Sequence, residues 1–159
     1  TAIAEELADS DPKKPFAADL RVVWSPKLSD TAMLHLGGHV HMRNLNDPEG
    51  SVRYRARAGA HTSDVRFVDT GEIDARGERS AGFELAYQDG PLHISTEGYW
   101  QKVLRVGGPN PTFFGGYAEA GLVLTKGDKR SYREGVFDRL RPSKPLGKGG
   151  MGAIEVNAR

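Results

Sequence analysis

The chain has 159 residues, a formal charge of only +1, a mean hydropathy of −0.52 and no cysteine. Its length suits one domain with a core of its own, and the missing cysteine excludes disulfides, thiolate metal sites and a thiol nucleophile. No apolar stretch approaches the ~18 residues of a transmembrane helix, but that test is blind to membrane β-barrels, whose strands meet lipid only at every second residue.

Twenty Gly and nine Pro, with few helical periods, predict strands and turns throughout. With neither an initial Met nor a signal peptide, the chain reads as a mature form or an excerpt. Residues 1–17 are expected to form a loop, and 20–25 a first strand. The clearest strand is 32–43, where Ala32, Leu34, Leu36, Gly38, Val40 and Met42 line one face and Met33, His35, Gly37, His39, His41 and Arg43 the other. A dozen residues suit a tilted bilayer span, whereas strands of a soluble sandwich usually run to about five or six. His35, His39 and His41 share a face and offer an H-x-H pair for Zn or Cu, but no third ligand is fixed, and lumen-lining imidazoles are the plainer reading.

Arg53, Arg55 and Arg57 alternate with Tyr54 and Ala56, so extended backbone there sets three guanidiniums on one side, about 7 Å apart. Stacked like charges repel, and passing or holding anions is a reason to keep them together. The alternative is the solvated face of a soluble β-domain, which would bind polyanions through the same arginines. Later strands repeat the two-faced pattern. Phe83, Leu85 and Tyr87 oppose Glu84, Ala86 and Gln88; Leu92, Ile94 and Trp100 oppose His93, Glu97 and Gln101; Phe114, Ala118 and Leu122 oppose Tyr117, Glu119 and Thr125; Ile154, Val156 and Ala158 oppose Glu155, Asn157 and Arg159. The polar faces have the composition of a wet lumen, and Trp24, Tyr87, Trp100, Phe113 and Phe114 are expected near strand ends as interface aromatics.

Porin barrels have short periplasmic turns and long outer loops. That parity is restored when 44–80 is one long outer loop, with the arginines on a folded-in stretch whose other face, Val52, Tyr54, Ala56, Ala58 and Ala60, is mostly small. The same parity places 126–150 on the periplasmic side; residues 126–148 carry eight Lys or Arg against Asp128, Glu134 and Asp138, an excess of 8 − 3 = +5. Long loops in compact folds are usually functional, so this one too is a candidate to dip into the pore.

His35-Leu36-Gly37, the Arg-rich stretch through Arg57, Val68-Asp69-Thr70-Gly71, Leu124-Thr125 followed by Arg130 and Tyr132, Phe137 through Pro142, and Gly152-Ala153-Ile154-Glu155 together resemble the phosphate-selective porins O and P. The resemblance runs in order through most of the chain. It implies a homotrimer in the bacterial outer membrane, set in its lipid, each protomer a sixteen-stranded antiparallel barrel with an arginine ladder on an inward-folded outer loop. The chain would then be a partial porin of about six wall strands, all-β, forming a single domain over 1–159. The ladder corresponds to Arg53, Arg55 and Arg57. Central-site lysines of the family correspond to Arg133 and Arg141, with Arg130 nearby, and a further basic rung to His61. Arg for Lys keeps the charge but replaces a point charge with a planar fork, which bears on phosphate selectivity more than on anion selectivity. Inorganic phosphate, polyphosphate or other small anions are the implied cargo, with no cofactor and no nucleic acid. Glu84, Glu97, Glu119 and Glu155 come with no nucleophile arrangement, and Gly147-Lys148-Gly149-Gly150 lacks the spacer and Lys-Ser/Thr ending of a phosphate loop, so no enzyme activity is expected.

Overall fold

A computed structural model describes residues 15–47, 49–57, 64–133 and 136–159. Its strands are β1 (Phe16–Trp24), β2 (Ala32–Asn44), β3 (Ser51–Val52), β4 (Arg55–Arg57), β5 (Arg66–Asp69), β6 (Ile73–Asp89), β7 (Leu92–Arg105), β8 (Thr112–Val123), β9 (Tyr132–Arg133), β10 (Val136–Phe137) and β11 (Glu155–Ala158). No helix occurs among the described residues. The chain is all-β, with a main sheet in the order β1-β2-β6-β7-β8-β11, β3 added beside β6, and separate ribbons β4–β5 and β9–β10. This agrees with the expected run of six wall strands. The path is open, and among the described residues β1 and β11 each have one neighbour in it.

Several boundaries differ from the sequence reading. β1 starts at Phe16, inside the stretch expected as loop, while residues 1–14 lie outside the described part. β6 is 17 residues long and begins at Ile73, taking in residues 73–80 of the stretch expected to be loop. That beginning carries little hydropathy signal because the residues it buries are small or polar: Ala75, Gly77 and Glu78. β7 likewise continues to Arg105, so Trp100 sits well inside a strand rather than at its end. Between β6 and β7 only Gly90 and Pro91 remain, and a two-residue link obliges the strands to pair antiparallel. Gly90 supplies the positive φ (54°) that such a turn needs at its first position.

The alternation in β2 and β8 is visible in their exposure. Leu36, Val40 and Met42 are exposed while His35, His39 and Arg43 are covered or half-covered; Phe114 and Leu122 are exposed while Tyr117 and Glu119 are half-covered. The buried hydrophobics are all small (Ala32, Val52, Ala75, Ala86, Val103 and Val123), and they share the interior with His35, Glu78, Gln88, His93 and Asp128. Large apolar side chains face outward instead, Trp24 at 61% exposure and Phe114 at 65%. A water-soluble sheet would do the reverse, since fully burying a large apolar side chain yields about 1.5–3 kcal/mol.

The chain divides into two compact units. The first contains His41–Ser80 and Gln101–Phe113; Val52, Ala75 and Val103 form its core, with Leu45, Tyr54, Ile73 and Phe113 packed against them. The second contains Leu20–Val40, Ala81–Trp100 and Phe114–Arg159. It is organised around two histidines, His35 and His93, each only 2% exposed.

Candidate functional site

The arginines at 53–57 lie in the first unit. Val52 and Tyr54 turn inward, Val52 into the core and Tyr54 against it, and alternation leaves Arg53 and Arg55 exposed. Arg53 does not stand free. Its Nε and Nη2 donate to the two carboxylate oxygens of Asp69 at 2.7 and 2.6 Å, and Glu72 lies 4.0 Å away. Two parallel bonds of this kind are the strongest geometry available to a guanidinium and a carboxylate. With the Gly71 N–H also donating to it at 3.0 Å, Asp69 is held well below the usual carboxylate range, at about 2, and the Arg53 guanidinium is pushed up in turn.

β4 pairs antiparallel with β5, Arg55 opposite Asp69 and Ala56 opposite Val68; the register then slips, so that Arg57 stands opposite Arg66. The extra residue is Phe67, which is 74% exposed. Bulges of this type re-aim side chains. Here the slip gives Arg66, half-buried and not singled out in the sequence, a register position facing the last ladder arginine. His61 lies outside the described residues.

Arg130, Arg133 and Arg141 belong to the second unit. Arg130 Nε and Nη2 donate to Glu155 at 2.6 and 2.9 Å, and its carbonyl accepts from Gln88 Nε2. The Glu155 carboxylate raises the Arg130 pKa. Glu155 Oε1 also lies 3.2 Å from His93 Nε2, which is itself 3.2 Å from Asn157 Oδ1. Tyr132 hydrogen-bonds His35, whose Nδ1 is 3.2 Å from Ser25 Oγ, and Phe137 packs on His93 with ring centres 5.6 Å apart. The ring centres of Tyr132 and Phe137 are 5.4 Å apart, so the β9–β10 ribbon rests on the two buried histidines. Arg133 is exposed on β9, and Arg141 is exposed with its Nη2 3.8 Å from Asp138. Asp128 stays low in pKa because the Ser143 backbone N–H donates to it at 2.8 Å, closing the base of the same loop.

A cavity of about 220 Å³ in this unit is lined by His35, Glu84, Ser95, Glu97, Tyr117 and Tyr132 among others. Glu84 is paired with Arg21 at 2.6 Å, and Glu97 accepts from the Tyr117 hydroxyl at 2.8 Å. Two carboxylates make this a polar space but a poor seat for an anion. What the sequence reading missed is mainly the counter-charge role of Asp69, Glu72 and Glu155. Only Asp69 carried a local signal, since Asp-Thr-Gly is an Asx turn in which the carboxylate accepts from the backbone two residues on.

The family model described as phosphate-selective porin O and P matches residues 3–159. An uncharacterized protein of Caulobacter vibrioides is 45% identical over 150 residues, a match that takes in 94% of this chain and 30% of that protein. The chain thus spans about a third of the length of this relative. No solved structure matches it.

Proposed function

This chain belongs to the phosphate-selective porin O and P family, and on that premise we propose that it forms part of a passive, anion-selective channel of the bacterial outer membrane. The family is one of channels rather than enzymes. The cargo is phosphate, polyphosphate or another small anion, and the working form is a homotrimer set in outer-membrane lipid. In this reading residues 45–72, between β2 and β6, hold an inward-folded outer loop and 126–150 a long periplasmic turn. Arg55 and Arg57 are rungs that attract an anion, with Arg53 and His61 beside them; Arg133 and Arg141 serve the constriction, and Arg130 ties their loop to Glu155.

The observation that carries the proposal is the division of faces in residues 51–55. Val52 and Tyr54 are turned in toward the core of the first unit while the alternating Arg53 and Arg55 are exposed, Arg53 paired with Asp69. Spaced single charges bind an anion well enough to draw it in and weakly enough to release it. Outward Trp24, Met42, Phe114 and Val156, exposed by 45% or more, suit lipid contact and would be costly in water. They also weigh against a soluble polyanion-binding domain, which needs the apolar face of β2 covered by a second sheet. In the full-length protein, reversal potentials across a planar bilayer are expected to show anion selectivity, and Arg55→Ala to reduce it. Cation selectivity in the unaltered protein would refute the proposal.

A further inference from the structure

Tyr54 is the residue between two ladder arginines, and it is bound on every side. Its N–H donates to Thr70 Oγ1 at 3.0 Å and its carbonyl accepts from the Thr70 N–H at 3.1 Å, so both backbone groups are held. Its hydroxyl donates to Glu78 Oε2 at 2.5 Å and accepts from Gln101 Nε2 at 3.1 Å. Gln101 Nε2 also donates to Glu78 Oε2 at 2.9 Å, and Arg43 Nη1 lies 3.3 Å from Glu78 Oε1. The Tyr54 ring packs on Phe113 with centres 5.3 Å apart. One side chain thus joins a network reaching β2 through Arg43, β6 through Glu78, β7 through Gln101 and β8 through Phe113.

Glu78 is 8% exposed, and a buried carboxylate is tolerable only when its oxygens are met by donors. Tyr54 is one of those donors. The phenol is pushed up to about 12 by burial and by Glu78, so it keeps its proton at any working pH. Because neighbouring side chains of an extended backbone point opposite ways, a Tyr54 held inward obliges Arg53 and Arg55 to stand outward.

We propose that Tyr54 is the positioning residue of the arginine ladder: its hydroxyl, fixed between Glu78 and Gln101, sets where the guanidinium of Arg55 meets a passing oxyanion. The proposal rests on the channel reading above. A ladder on an untethered loop would spread its charge over many positions and lose the ordering that makes binding sites of its rungs. Tethering through Tyr54 rather than through Arg55 itself fixes the backbone of this rung without engaging its guanidinium. Phe at this position would keep the contact with Phe113 and the backbone bonds to Thr70 but leave Glu78 one donor short and remove the bond that fixes the tip of the ring.

The test uses the full-length protein in planar bilayers, with inorganic phosphate as a blocker of chloride current. A hydrogen bond to a charged group is worth about 1.5 kcal/mol at the low end, so Tyr54→Phe should raise the half-blocking phosphate concentration by up to about tenfold. Glu78→Gln, which keeps the shape of the network, should move it the same way by a smaller factor. The decisive measurement is the double-mutant cycle with Arg55→Ala: if Tyr54 acts through that rung, adding Tyr54→Phe to Arg55→Ala changes the block by less than about twofold. Equal factors in both backgrounds would overturn the proposal, as would phosphate block within twofold of wild type in both Tyr54→Phe and Glu78→Gln. Should Arg55→Ala itself leave selectivity and block untouched, the channel reading fails and takes this inference with it.

Discussion

Substituting Glu155 by Gln tests how the long loop bearing Arg133 and Arg141 is held. Glu155 accepts two bonds from Arg130, at 2.6 and 2.9 Å, and stands 3.2 Å from the buried His93. A charge-assisted hydrogen bond contributes about 1.5–3 kcal/mol. Gln keeps one acceptor oxygen, so roughly one such bond is lost, and the 26% exposure of the Arg130 side chain argues for the lower figure. The expected loss is therefore about 1.5 kcal/mol, or about tenfold in a local opening equilibrium. Hydrogen exchange, followed by mass spectrometry on the full-length protein in detergent, should show peptides covering 130–137 exchanging about tenfold faster, with β7 amides unchanged. Exchange within twofold of wild type over 130–137 would mean that the ion pair does not hold the loop, and that its seat on His35 and His93 suffices.

The carboxyl carbon of Asp69, followed by NMR, should titrate near 2 and move back toward the ordinary value of 3.8 in Arg53→Ala. The sign follows from the lowered pKa: the contribution of the pair to the β4–β5 ribbon is fully present above about pH 4 and is lost as pH falls through about 2. Titration near 4 in both proteins would show that the pair does not form. Gly121→Ala would set a methyl group against Asn157 Oδ1 and the ring of His93, which at 2% exposure has little room to retreat. Overpacking of that kind costs about 1–3 kcal/mol, so the melting temperature in detergent should drop, and an unchanged one would refute the close seating of the His93 and Asn157 side chains on Gly121.

Where a strand alternates large apolar with polar side chains, the sequence alone was enough to find it. β2 announces itself through Leu34, Leu36, Val40 and Met42, and β8 through Phe114 and Leu122, because alternation survives whether the greasy face meets lipid or a core. The start of β6 was hidden because Ala75 and Gly77 are small and Glu78 is a buried carboxylate, its burial offset by Arg43 and Gln101 from other strands and by Tyr54 from the link between β3 and β4. The ladder arginines were legible as a charge pattern, but their partners were not. Arg53 finds Asp69 sixteen residues away and Arg130 finds Glu155 twenty-five away, separations that only strand pairing closes. The slip that brings Arg66 opposite Arg57 is likewise a property of two strands together, invisible in either one.

Among the described residues, the order β1-β2-β6-β7-β8-β11 pairs β1 and β11 on one side and leaves a row of backbone donors and acceptors unpaired on the other. In hydrocarbon each such group left without a partner costs several kcal/mol, so a sheet of this kind cannot enter the bilayer edge first and wait. On the channel reading proposed above, insertion would have to be cooperative with the strands that complete the sheet, or be chaperoned until they do. In water the same rows are templates for any passing strand, and with Leu20, Val22 and Trp24 exposed on β1 itself, the nearest available partner for an unassembled copy is another copy.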